Sequence, residues 1–379
     1  MSSTENHKKH ADLQRPQLGK FGRNELAVLG TTCEAVQFFA ETLIKNFPDH
    51  RIAFADADHD ENAQVQTNIH FQQQQKGVSV FIPNINNEYQ RRILLSGCDA
   101  IIVNGNHFDA AAQIVFCNPT KEKSLRKRSG ELTNVVSILL PADVQEVPDY
   151  VKELVVNFAD LPVFREDEFE KLASWYRQNF LKSATVSALI LTGGKSIRMG
   201  TDKSKIKHHG VEQYLHLYNL LKKLDVDPYI SCRKEQSEYY ENSGCKTIID
   251  KMLDIGPLGG IMSAFMMQPD RAWMVLATDV PLIDDVLLNE LIASRRADKV
   301  ATAFKSPFDK FPEPLIAIWE PKSYPLMLQF MAQGYSCPRK VLINTDSHVV
   351  DASTPWKLEN VNTTEDLEDL KPRLETGQK

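Results

Sequence analysis

Apolar residues fall along this chain in two alternating styles, short unbroken runs and longer stretches at helical spacing. From Glu25 onward, LAVLG (26–30), RIAFADAD (51–58), VSVFI (78–82), DAIIVNG (99–105), AQIVF (112–116) and VVSILL (135–140) predict strands. CEAVQFFAETLIKNF (33–47) repeats its apolar residues as a helix does, and Pro48 closes it. EDEFEKLASWYRQNF (166–180) opens with acids, which suit a helix N-terminus, and lays Phe169, Leu172, Trp175 and Tyr176 along one face. A second alternation starts at Val186. VSALILTGG predicts a strand, EQYLHLYNLLKKL (212–224) a helix, and VDPYISC, CKTIID, AWMVLATDV, KVATAF and EPLIAIW further strands. Such alternation predicts an α/β protein with mostly parallel sheets, whose ligands lie at the carboxyl ends of the strands. Residues 1–20 read as a disordered tail. The change of unit falls near Leu181–Thr185, giving one domain over 21–182 and another over 185–375.

Composition narrows the picture. A chain of 379 residues is too long for one typical core, in keeping with two domains. With 42% hydrophobic and 25% charged residues it is an ordinary globular sequence, and a net charge of -6 gives nucleic acid no basic face. Six cysteines are scattered without a C-x-x-C pair, which points to reduced thiols rather than disulfides or zinc. The N-terminus is polar and lacks the apolar stretch of a signal peptide. No apolar run approaches the roughly 20 residues of a membrane span. The chain reads as soluble and cytoplasmic, with neither nucleic acid nor membrane as partner.

Candidate chemistry concentrates in three stretches of the second half. LTGGKSIRMGTDKSK (191–205) leaves a strand through Gly193 and Gly194, where backbone N–H groups can approach phosphate oxygens closely. Arg198 and Lys203 follow at once and can neutralise a phosphate chain or a leaving pyrophosphate. DIGPLGGIMSAF (254–265) sets Gly256, Gly259 and Gly260 before an apolar helix, which suits close approach to a base or ribose. AWMVLATDVPLI (272–283) is an apolar strand ending in Asp279, turned away by Pro281. A carboxylate at a strand's carboxyl end beside phosphates is a natural Mg2+ ligand.

LTGGKSIRMGTDK resembles the signature L-x-G-G-x-S-x-R-M-G-x-D-K of the molybdenum cofactor guanylyltransferases, within the wider glycosyltransferase-A-like nucleotidyltransferases. The resemblance covers about 190 residues, 185–375, and implies a Rossmann-like nucleotidyltransferase domain. It implies nucleotide contacts from Leu191, Gly193, Gly194 and Lys203, and from Asp250, which closes T-I-I-D. Asp279, in T-D-V-P, matches a nucleotide- and magnesium-binding position. Gly256 and Gly259 lie in GPLGG, which is similar to the guanine-side loop. FPEPLIAIW (311–319), QGYSCPRKVL (333–342) and ENVNTTEDL (359–367) resemble segments that hold the pterin phosphate, which implies Arg339, Asn360 and Asn362 on the acceptor side. Where the family often has asparagine after the strand that follows the first helix, this chain has Ser231-Cys232-Arg233, and Arg233 is the candidate replacement.

The implied reaction uses GTP as substrate and Mg2+. The terminal phosphate of molybdopterin attacks the α-phosphorus of GTP in line, giving the guanine dinucleotide cofactor and pyrophosphate. That phosphate oxygen is already ionised near neutral pH, so positioning and charge neutralisation supply most of the rate, with Asp279, Arg198 and Lys203 as the minimum set. The resemblance implies molybdoenzymes or their chaperones as recipients. Related enzymes of the same kind, a cytidylyltransferase or a sugar-phosphate nucleotidyltransferase, more often carry L-A-A-G than the Thr192-Gly193-Gly194 present here. A rival of another class is a non-catalytic carrier of the molybdenum cofactor.

In the first half, LAVLGTTCEAVQFFAETL sets a strand, a glycine and a helix where a phosphate-binding loop belongs. A working P-loop needs a second glycine, a lysine and a hydroxyl at fixed spacing. Gly30 is instead followed by Thr31-Thr32-Cys33-Glu34, with no lysine before Lys45. DAIIVNGNHFDAAAQIVFCNPTKEKSLRKR and FADLPVFREDEFEKLASWY resemble segments of the small GTP-binding adaptor that often partners the guanylyltransferase, with Asn104 in place of an acid. The implied fold is a degenerate P-loop-NTPase-like α/β domain without GTPase activity. KEKSLRKRSG (121–130) and the glutamines at 72–75 read as loops, His208-His209 as a polar turn, and Cys98 and Cys117 as core thiols.

Overall fold

The computed structural model describes residues 13–57, 70–74, 77–81, 87–192, 203–361 and 366, and gives backbone alone for the strands within 70–81 and for Lys203. The chain divides between Lys182 and Ser183 into two compact units.

The strands of the first unit are β1 (Glu25–Leu29), β2 (Ile52–Ala55), β3 (His70–Gln74), β4 (Gly77–Phe81), β5 (Ala100–Asn104), β6 (Ala112–Phe116), β7 (Val135–Leu140) and β8 (Val163–Arg165). Six of them form a sheet in the order β2-β5-β1-β6-β7-β8, with every neighbouring pair parallel. Leu26 and Val28 face the helices Cys33–Asn46 and Phe169–Phe180, packing with Phe39, Leu43, Leu172 and Tyr176. Leu29 on the opposite face packs with Leu125 and Tyr150. Both faces of the sheet are thus covered, as the unbroken apolar runs require.

Four expectations change. VSVFI does not join the main sheet; β4 pairs antiparallel with β3 in a ribbon of its own. Of the glutamines read as a loop, Gln72–Gln74 lie in that ribbon, Gln72 opposite Ser79, because ladder pairing satisfies the backbone whatever the side chains are, and Gln75 lies outside the described residues. The segment read as a solvated loop at 121–130 holds the helix Glu122–Lys127 between two short 3₁₀ turns. One buried residue, Leu125, docks it, and Arg126 bridges Glu122 one turn back at 2.8 Å. Nor does order begin only at residue 21. The buried carboxylate of Glu25 accepts from the amides of Lys20, Phe21, Gly22 and Ala111, which ties the preceding residues to β1.

The second unit contains β9 (Val186–Leu191), β10 (Asp227–Cys232), β11 (Thr247–Ile249), β12 (Ala272–Ala277), β13 (Ala301–Lys305), β14 (Pro312–Trp319) and β15 (His348–Val350). They form one sheet in the order β11-β10-β9-β12-β14-β13-β15, in which β14 alone opposes the rest. Period-two alternation divides its two cores. Ile190, Met274 and Leu276 face the helices Gln213–Lys223 and Asp285–Ala293. Leu189, Trp273 and Val275 face the helix Pro257–Met267 and pack on Ile261 and Phe265. Among the described residues, no helix is long and apolar enough to cross a membrane.

An ion pair fastens this unit's start. Glu320, 1% exposed, accepts from Arg295 Nε at 2.6 Å and Nη2 at 2.8 Å, and Nη2 also donates to the carbonyl of Ala184 just before β9. Removing one member of such a pair strands a buried charge. Arg295→Ala is expected to cost about 3–5 kcal/mol, read as a lowered urea midpoint in unfolding followed by tryptophan fluorescence. An unchanged midpoint would contradict the assignment.

Candidate active site

The sheet of the second unit has a topological switch at β9. From β9 the chain crosses to β10 and β11 on one side, then returns to β12 on the other. In open α/β sheets such a switch point, outside the carboxyl ends of the strands, is where ligands bind. Leu191 ends β9, in register with Ser231 on β10 and Ala277 on β12. Thr192 carries the pairing one residue further, its N–H and hydroxyl both donating to the Ser231 carbonyl, at 3.2 and 2.8 Å. The chain is thus fixed up to the point where it enters the glycine turn. Gly193, Gly194, Arg198 and Asn362 lie outside the described residues. Lys203 is placed by its backbone in a 3₁₀ turn, Lys203–Lys205, whose Ser204 shares a 3.1 Å hydrogen bond with Tyr240 in the core.

On the β10 side, Asp250 follows β11 and its N–H donates to the Cys232 carbonyl at 2.8 Å. Its Oδ1 accepts a 2.6 Å bond from the Ser231 hydroxyl. Burial raises the Asp250 carboxyl above its ordinary range, opposed by the Ser231 bond and the charge of Arg233. Cys232 points into the core, where burial pushes its thiol up to about 12. Arg233, half-exposed, donates through Nη2 to Asp254 at 3.1 Å in the loop that follows.

That loop presses against the start of the helix Pro257–Met267. A Cβ on Gly259 would sit 2.1 Å from the Met252 carbonyl, and one on Gly260 2.4 Å from Ser231 Oγ. Both glycines are buried, so their missing side chains serve close packing of loop against helix. Gly256, exposed, holds φ at +68° with open space around it, the freedom needed to turn into Pro257. Ser263 ties the two parts, donating to the Gly259 carbonyl at 2.7 Å and accepting from the Lys251 N–H at 2.8 Å.

Across the crevice, Thr278 and Asp279 turn out of β12. Asp279 is half-buried, and its carbonyl accepts from the Val361 N–H at 2.7 Å. Val361 packs on Leu282 beside Trp356, and Lys357 pairs with Asp284, so a strap over 355–361 closes on this turn. Asn360, exposed, is thereby delivered beside Asp279. Because β14 is antiparallel to β12, its first residues, Pro312 and Glu313, lie at this same edge. Arg339 reaches that edge from its helix Pro338–Ile343, bridging Glu313 at 3.2 Å and Asp309 at 3.1 Å.

Sequence patterns missed three supports. Ser231 is one hydroxyl inside an apolar strand, and nothing local marks it as the holder of Asp250. His209, read as part of a polar turn, donates through Nε2 to the Pro281 carbonyl at 2.8 Å and stacks on His216 at 3.8 Å. The strap at 355–361 acts through its backbone. No group of three or more metal-ligating side chains occurs among the described residues.

Comparison with known proteins identifies the unit. The family described as MobA-like NTP transferase domain matches residues 188–349. A molybdenum cofactor guanylyltransferase of Pseudomonas paraeruginosa is 30% identical over 190 residues, 47% of this chain and 91% of that protein. A probable molybdenum cofactor guanylyltransferase of Flavobacterium johnsoniae is 29% identical over 198 residues, 50% of this chain and 98% of that protein. A molybdenum cofactor biosynthesis bifunctional protein of a Synechocystis species is 32% identical over 178 residues, 47% of this chain. The chain spans about half, 51%, of that bifunctional relative.

The raised carboxyl of Asp250 has a thermodynamic consequence. A folded state that prefers the neutral acid is favoured fully below the unfolded carboxyl's pKa and loses that preference as pH rises through the folded value. Asp250→Asn keeps an acceptor for Ser231 without the charge. Its melting temperature is therefore expected to exceed that of the parent at pH 7, with the difference shrinking toward pH 4. A lower melting temperature at pH 7 would contradict the assignment.

Proposed function

This chain belongs to the molybdenum cofactor guanylyltransferase family, and from that premise we propose that it transfers GMP from GTP to molybdopterin, releasing pyrophosphate. The observation that carries the proposal is the convergence of Leu191, Thr192, Asp279 and Asn360 on one crevice at the carboxyl edge of the sheet. A triphosphate laid there would have the glycine turn at 193–194 on its phosphates and the Gly256–Gly259 loop toward its base. Asp250 and Arg233 edge the β10 side, where they can read ribose or guanine polar groups. Arg339, Asn360 and Asn362 are proposed for the phosphate of the pterin. Its ionised oxygen forms a new bond to the α-phosphorus while the bond to the β-phosphate oxygen breaks. Arg198 and Lys203 are proposed to take up the charge on the departing pyrophosphate.

Asp279 fits Mg2+. It offers a hard carboxylate oxygen at a strand end, and this ion is usually held by one or two carboxylates together with substrate phosphates and water rather than by an all-protein cage. When bound, the ion supplies neutralisation of phosphate charge. Recipients among molybdoenzymes or their chaperones, and a cytoplasmic setting, complete the reading; six cysteines outside any disulfide are in keeping with a reducing compartment.

For the first unit we propose a degenerate P-loop-like adaptor domain. Its parallel sheet puts Gly30 at φ +87° before a helix, yet Val36 and Gln37 stand where a working loop, counted from Gly30, has its lysine and hydroxyl.

Three outcomes are expected. With molybdopterin and Mg2+, GTP supports pyrophosphate release and CTP and ATP do not; equal turnover with CTP would favour a cytidylyltransferase instead. Asp279→Asn lowers the rate on the order of a thousandfold with little change in melting temperature, and retention of about a tenth of the rate would remove Asp279 as the metal ligand. Without acceptor, the full chain releases no inorganic phosphate from GTP, and steady release would mean that the first unit is an active GTPase.

A further inference from the structure

A second group of reactive side chains lies in the first unit and includes no residue assigned to nucleotidyl transfer. Cys33 is the first residue of the helix Cys33–Asn46, capped by Thr32, whose hydroxyl accepts from the Ala35 N–H at 3.2 Å. Its Sγ lies 3.2 Å from His107 Nε2. The Asp56 carboxylate is 3.9 Å from that same nitrogen and is itself held by a 2.8 Å bond from Asn104 Nδ2. The thiol and the carboxylate thus face one nitrogen of the imidazole, which can take the thiol proton with the carboxylate beside the cation formed.

Cys33 and His107 each line one of two adjoining cavities. A smaller one, of about 180 Å³, is lined by Cys33 together with Lys121 and Arg128. A larger one, of about 530 Å³, is lined by His107 and shares Asn106 and Arg128 with the first. Among the described residues no carboxylate lines the smaller cavity, and the Lys121 ammonium has no ion-pair partner. Arg128 is paired with Glu131 and donates to the Gly105 carbonyl at 2.6 Å. A reagent reaching the sulfur from the smaller cavity therefore meets the Lys121 ammonium. Of the other thiols, Cys117, Cys232 and Cys245 are buried, Cys98 is half-buried and Cys337 is exposed without such partners.

We propose that Cys33 is a reactive thiol that exchanges with small disulfides carrying carboxylates. His107 Nε2 takes the thiol proton, and the imidazolium formed has the Asp56 carboxylate beside it. The Cys33 sulfur attacks one sulfur of the disulfide; a new S–S bond to the protein forms, the original S–S bond breaks, and one thiolate leaves. The disulfide is the only oxidant required. The site is independent of the nucleotidyl-transfer reading.

The test treats the full chain, carrying Cys337→Ser, with dianionic dithiobis(nitrobenzoate) or neutral dithiodipyridine, and follows thiol release by stopped flow. The expected result is one equivalent of fast release, located on Cys33 by peptide mass. It vanishes in Cys33→Ser and slows about tenfold or more in His107→Gln. Lys121→Gln is expected to slow the dianionic probe alone. A fast phase that survives Cys33→Ser, or a Cys33 no faster than Cys337 in the parent chain, would overturn the reactive thiol. Equal effects of Lys121→Gln on both probes would overturn the preference for anionic disulfides.

Discussion

The parallel pairing of β9 with both β10 and β12 is the constraint on which the candidate site depends. It brings the carboxyl ends of three strands level, Ser231, Leu191 and Ala277 standing in register. A sheet with that order has its opening built into its topology, so the site needs no separate scaffold. The two apolar faces of β9 and β12 then fix the opening from behind. Ile190 and Leu276 on one side and Leu189 and Val275 on the other are all fully buried.

What lies on the rim has a stability cost. Asp250 is held partly buried as a carboxyl whose charged form the fold disfavours, with one hydroxyl, that of Ser231, as its near partner. Such a group is unhelpful to the empty protein and useful to a ligand that donates hydrogen bonds to it. On the opposite rim the Asp279 turn is braced rather than buried. Val361 holds its carbonyl, His209 holds the Pro281 carbonyl, and the Lys357–Asp284 pair closes the strap. Bracing by backbone contacts thus fixes the course of the chain through the Asp279 turn.

Much of this was legible in the sequence because burial writes a strong pattern. Unbroken apolar runs marked β1, β5, β9 and β12, and the polar residue ending such a run, as at Asp279, marked a position at the sheet edge. Patterns failed where one residue decided the outcome. Leu125 alone docks the helix at 122–127 within a stretch dominated by charge, and backbone pairing alone makes a strand of Gln72–Gln74. They failed again where support comes from far along the chain, since Ser231 and Asp250, His209 and Pro281, and Asp279 and Val361 meet only once folded.

The central claim is that the crevice beside β9 and β12 captures the α-phosphate of GTP on the phosphate of molybdopterin. The most direct measurement follows radiolabel from GTP labelled separately at the α- and γ-phosphates, with molybdopterin and Mg2+ present. The account predicts that α-label appears in the pterin product and γ-label leaves as pyrophosphate, in equal amounts. Label from the γ-phosphate in the pterin product, or α-label recovered only as free nucleotide, would contradict it.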